Sequence, residues 1–166
     1  QRAVALDAGA DLVSVALREV AAPPHDTTAP AFYAACAETD IAVQHMLYDA
    51  GDFDLLDRLV LPGLVVSPDL QLIFVLGRYS DGQESDMRDL DAFLDRIGQR
   101  ATSADWAVCA FGRAETACLE AAHAKGGKLR VRIDNTLVND DGTPARDNAD
   151  RVAVIARIIE DQHGQI

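Results

Sequence analysis

Residues 129–135 read LRVRIDN, and charge recurs there at every second position, as Arg130, Arg132 and Asp134. Side chains of an extended strand alternate between faces, so these three are expected on one side. Charges on one face of an otherwise apolar strand are costly unless they pair or bind something. The residues leave both outcomes open, an internal salt bridge among the three or a binding site. As a site, an arginine's planar fork offers a carboxylate two parallel charge-assisted hydrogen bonds. Asn135 follows directly. An amide is no proton acceptor near neutral pH, but it can orient a substrate or a water.

Other segments carry weaker signals. In FGRAET (111–116), Gly112 and Arg113 follow an apolar run and open a helix. The glycine permits a sharp turn, and a helix N-terminus offers N–H groups to an anion; ordinary turn chemistry explains the same residues. GRYSDGQESD (77–86) reads as a polar loop after a strand, with Arg78, Tyr79 and Ser80 able to reach a ligand or simply solvated. Along IAVQHMLY (41–48), Gln44 and Met46 share one face while His45 and Leu47 share the other, which suits His45 as a hydrogen-bonded core residue. The four histidines, His25, His45, His123 and His163, are isolated, so they form no His-x-His metal motif. NDDG (139–142) looks like a tight turn without the further oxygen ligands of a calcium loop.

The elements that must hold these groups follow from hydrophobic periodicity. Strand-like apolar runs lie at Leu12–Leu17, Ile41–Tyr48, from Leu70 onward, at Trp106–Phe111 and at Leu129–Ile133. Met87, Leu90, Phe93, Leu94 and Ile97 fall on one helical face, with Ser85 as the expected N-cap. Phe53, Leu56, Leu59 and Val60 make a shorter stripe, and Val152, Ile155, Ile158 and Ile159 mark a terminal helix opened by Asp147-Asn148. Strands about 25–35 residues apart with helices between them imply parallel βαβ units. Two architectures accommodate them, an open doubly wound sheet or part of a (β/α)8 barrel, which takes about 250 residues when complete.

Composition bounds the rest. The chain has 166 residues, enough for one domain with a sizeable core, and 49% hydrophobic with 25% charged residues is ordinary for a globular protein. A net charge of −12 leaves no basic stripe for phosphates and argues against nucleic acid as a partner. Cys36, Cys109 and Cys118 show no paired spacing, as expected of reduced thiols in the cytoplasm. No apolar run approaches the roughly 20 residues of a membrane helix. Beginning at Gln1 within RAVALDAGAD, the chain reads as residues 1–166 of something longer, with an N-terminal part missing.

The strand LRVRIDN, the preceding Gly-Arg turn and the polar loop to Asn148 together resemble the β-keto acid cleavage enzymes, a zinc-dependent (β/α)8 TIM-barrel family. The resemblance runs from the strand at Leu12 to the last helix and implies strands four to eight of that barrel. It implies that Arg130 holds the carboxylate of a small β-keto acid or assists catalysis, and that Asp134, one methylene shorter than the family's usual Glu, binds Zn2+. Asn135 stands where many members carry a catalytic Asp, Arg132 where Gly is frequent, and Gly112 and Arg113 where a Gly-Arg borders the acyl-CoA. The implied reaction condenses a β-keto acid with acetyl-CoA, giving acetoacetate and a new acyl-CoA, in a homo-oligomer. Two further readings stand beside it. One is a barrel that binds acyl-CoA or a small carboxylate without turnover; the other is an independent open-sheet ligand-binding domain.

Overall fold

The computed structural model describes residues 9–21, 26–60, 63, 65, 70–99 and 104–163. Residues 1–8, with most of the RAVALDAGAD segment, and His25 lie outside them. Five strands are present: β1 (Leu12–Ala16), β2 (Ala42–Leu47), β3 (Gln71–Leu76), β4 (Asp105–Ala110) and the short β5 (Lys128–Leu129). The helices are α1 (Leu17–Val20), α2 (Ala29–Glu38), α3 (Asp52–Val60), α4 (Met87–Gly98), α5 (Glu115–Ala124) and α6 (Asn148–His163).

All strand pairs are parallel, and the order across the sheet is β1-β2-β3-β4-β5. That order decides between the two expected architectures. A doubly wound sheet reverses its direction of travel at a switch point and so receives helices on both faces. Here each strand lies beside its predecessor with no reversal. Right-handed crossovers that always advance the same way put every helix on one side. This is the wall of a (β/α) barrel, and the open-sheet reading does not survive among the described residues.

The burial pattern agrees. Leu47, Leu72, Phe74, Leu76, Val108 and Ala110 face outward into the main core, packing against helix residues such as Phe32, Phe53, Leu90, Phe93 and Leu119. Phe74 stacks on Phe93 with ring centroids 4.6 Å apart and on Trp106 at 5.6 Å. The alternate residues Ile73, Val75, Ala107 and Cys109 form a second cluster with Met46, Tyr48 and Phe111, which no helix residue enters among the described residues. His45 belongs to the outer side, as its alternation with Gln44 and Met46 requires. It is 1% exposed, with Nε2 2.9 Å from the Tyr33 hydroxyl and Nδ1 3.3 Å from the Gln71 carbonyl. Burial pushes its pKa down to about 4, against which the Gln71 carbonyl works weakly, so it is a neutral core imidazole.

Two local expectations are corrected. Helix α4 is capped by Asp86, whose carboxylate accepts the Arg88 N–H at 2.9 Å, rather than by Ser85. Ser85 is buried instead, donating its N–H to the Phe111 carbonyl at 3.0 Å and accepting from the Cys118 thiol. The final strand is also far shorter than Leu129–Ile133. After Leu129 one more ladder bond forms, Arg130 N–H to the Val108 carbonyl at 2.8 Å, and the chain then leaves the sheet for a turn at Ile133–Asn135. Gly127 sets up this approach. A Cβ there would sit 2.2 Å from the Trp106 ring, so only glycine lets the strand enter against that indole.

Candidate active site at the carboxyl ends of the strands

In parallel α/β folds the loops after the strands carry the chemistry. Here they bring together Arg18 after β1, Tyr48 and Asp49 after β2, Gly77–Ser85 after β3, Phe111–Ala114 after β4 and Arg130–Asn135 after β5.

Two arrangements result. The first lines an open cavity of about 280 Å3 bordered by Tyr48, Asp49, Arg78, Tyr79, Ser80 and Phe93. Arg18 sits 5.5 Å from the centroids of both Tyr48 and Tyr79, pairs with Asp49, and donates Nε to Asp52 at 2.8 Å. Asp52 is buried and also accepts the Tyr48 N–H at 2.7 Å, so the rim is braced from below. Arg78 lies 5.3 Å from the Phe111 ring. Arg78, Tyr79 and Ser80 from the polar loop are therefore at a cavity, while the Ser80 hydroxyl is spent on the carbonyls of Gly77 and Glu84.

The second arrangement is buried. Arg130, half-buried, donates Nη1 to Cys109 Sγ at 3.5 Å, and the Cys109 thiol donates to Asn135 Oδ1 at 3.6 Å. Asn135 Nδ2 donates to Glu115 Oε1 at 3.3 Å, and Glu115 Oε2 accepts from Arg151 Nη2 at 2.6 Å. Glu115 and Arg151 are both 0% exposed. Arg151 also donates to Asn139 Oδ1 at 3.0 Å and to the Thr116 hydroxyl at 3.3 Å, while its Nε finds no partner. Burial pushes the Glu115 carboxyl up from its ordinary range, and Arg151 pulls it back. Burial likewise raises the Cys109 thiol, with Arg130 opposing, so Cys109 stays a protonated donor rather than a nucleophile.

The expected site residues divide accordingly. Arg130 and Asn135 belong to this buried network. Arg132 and Asp134 do not share a strand face with Arg130, because β5 ends before them. They pair with each other at 2.9 Å, half-exposed at 50% and 58%. The internal salt bridge expected among all three is therefore not formed: this pair lies at the surface and leaves Arg130 out. Gly112 adopts φ +80° and donates its N–H to the Asn135 carbonyl at 3.0 Å. A Cβ at Gly112 would lie 2.3 Å from Glu84 Oε2, and that carboxylate takes the Arg113 N–H at 2.8 Å. An internal anion thus already occupies the turn, while the Arg113 side chain is exposed.

Sequence reasoning missed Glu115 and Arg151. The signal was present: Arg151 precedes Ile155, Ile158 and Ile159 at helical spacing, and an arginine inside an apolar stripe needs a buried partner.

Comparison with known families settles the lineage of this arrangement. The model of the beta-keto acid cleavage enzyme family matches residues 2–166. The chain belongs to that family. The five-stranded parallel sheet with helices on one side is the part of a (β/α) barrel that membership requires. Members bind a metal ion, so the donors present can be tested against one. No group of three His, Cys, Asp or Glu side chains suited to a metal exists among the described residues. His45 is enclosed in the outer core, and Asp134 is a single carboxylate paired with Arg132. The described residues do not by themselves complete a zinc site. Among the described residues no helix is long and apolar enough to cross a membrane.

Proposed function

We propose that this chain supplies the acid-recognition side of a β-keto acid cleavage enzyme, which condenses a small β-keto acid with acetyl-CoA and releases acetoacetate and a new acyl-CoA. One observation carries the reading beyond family membership. Arg130, half-buried at the carboxyl end of the sheet, forms no ion pair among the described residues, and its one polar side-chain contact there is the thiol of Cys109. A guanidinium steadied by a neutral thiol keeps its fork for a ligand, and a carboxylate fills that fork bidentately. Asn135, held by its amide and its carbonyl, orients the reacting groups rather than moving a proton. Asp134 is the one zinc ligand assigned to the described chain; the others belong outside it. Gly112 and Arg113 border the acyl-CoA, the exposed Arg113 side chain reaching its anionic part.

The test is to incubate full-length protein with zinc, acetyl-CoA and a panel of β-keto acids and to assay acetoacetate. Turnover with at least one acid is expected. In Arg130→Lys the KM for the acid should rise about tenfold, because an ammonium cannot form the two-pronged contact. No acetoacetate from any acid would refute the reading. The amide at Asn135 favours one alternative, a barrel that binds acyl-CoA or a carboxylate without turnover. Stoichiometric ligand binding without product would establish that outcome.

A further inference from the structure

The hydrogen bonds of the buried network converge on Glu115. Arg130 donates to Cys109, Cys109 to Asn135, and Asn135 to Glu115, where Arg151 donates from the opposite side. Each link fixes the next. A carboxylate accepts only, so Glu115 must receive the Nδ2 end of Asn135, and the Oδ1 end is then obliged to face the thiol. The thiol proton goes to Oδ1, which leaves the sulfur lone pairs for Nη1 of Arg130. Glu115 stays an acceptor because Arg151, fully buried in α6 and anchored also on Asn139 and Thr116, holds its other oxygen.

We infer that the Glu115–Arg151 ion pair is a positioning device that dictates an amide at residue 135 and, through the Cys109 thiol, sets the direction in which Arg130 presents its guanidinium. The second half of this rests on the reading of Arg130 as the carboxylate-binding group. The first half does not, since it concerns only which side chain Glu115 tolerates beside it. A carboxylate in place of the Asn135 amide would put two acids within 3.3 Å in a site closed to water. Such a pair is destabilising unless Glu115 changes too. Asp134 in the turn adds to the same repulsion.

The test uses the full-length protein in two backgrounds. In the natural one, Asn135→Asp should lower the unfolding temperature by several degrees. In the E115Q background the second acid is gone while the buried Arg151 guanidinium remains, and the amide introduced by E115Q can donate to the carboxylate introduced by N135D; there the same change should be nearly silent. Equal losses in both backgrounds would overturn the inference. For the guanidinium, the double variant E115Q/R151M should raise the KM for the β-keto acid about tenfold while the KM for acetyl-CoA holds. A loss of folded enzyme would lower the apparent kcat and leave both KM values unchanged, and that result would count against positioning. If the wild type binds no β-keto acid, the functional reading falls, and the two-background melting comparison still decides the pair.

Discussion

Two of the arginine–carboxylate pairs at the carboxyl end of this sheet differ in almost everything but chemistry. Arg151 and Glu115 join α6 to α5 at 2.6 Å and are fully enclosed; Arg132 and Asp134 sit in the loop after β5 at 2.9 Å, half in solvent. Water surrounds the second pair and screens it, so its two charges need each other little. The first pair has lost its water. Each member is tolerable only because the other is present, and Thr116, Asn139 and Asn135 take up most of the remaining hydrogen-bonding capacity. Similar geometry therefore predicts opposite sensitivity to mutation.

The largest effect should come from breaking the enclosed pair on one side. Glu115→Ala leaves a buried guanidinium uncompensated and is expected to cost about 3–5 kcal/mol in urea unfolding. A loss under about 1 kcal/mol would mean that Arg151 escapes to solvent. Replacing both partners with apolar groups should cost far less than that single change.

Acid comes next, and it acts on the outer core. His45 has a folded pKa of about 4 against 6.5 for the unfolded chain. Its contribution is complete above pH 6.5 and is lost as the pH falls toward 4, since only the unfolded state then gains the proton. The interval corresponds to about 3 kcal/mol. Denaturation of wild type and His45→Gln at pH 7 and pH 4 should show the variant losing correspondingly less. Parallel losses would show that carboxylates alone govern the acid limb.

The smallest stability effect belongs to the exposed pair. Arg132→Ala and Asp134→Ala should each change stability by less than about 1 kcal/mol. The same Asp134→Ala is expected to lower the zinc content of the full-length protein if the carboxylate is a metal ligand. Unchanged zinc would leave Asp134 a surface salt bridge and nothing more.

Much of the wall was legible beforehand because it depends on local periodicity. Val13, Leu47, Phe74 and Val108 lie in apolar runs whose length and alternation identify strands, and Leu90 and Phe93 lie on a helical stripe. The final strand was not legible in extent. LRVRI alternates like a strand, yet the Ile133 N–H is captured by Asn148 Oδ1 at 2.7 Å, a contact fifteen residues away that no window of alternation contains. Arg130 and Asn135 could be chosen as residue types, but their partners, Cys109 and Glu115, come from other elements.

The order of residues alone determined the parallel βαβ repeats, the family and the presence of an arginine and an amide at the end of the sheet, because these depend on side-chain type and short-range spacing. Tertiary structure decided which charges are dry and which are wet. Arg132 and Arg151 are the same side chain, each within reach of a carboxylate. Only the packing of α6 over α5 removes water from one of them, and the energy of an ion pair depends on that water more than on the pair itself.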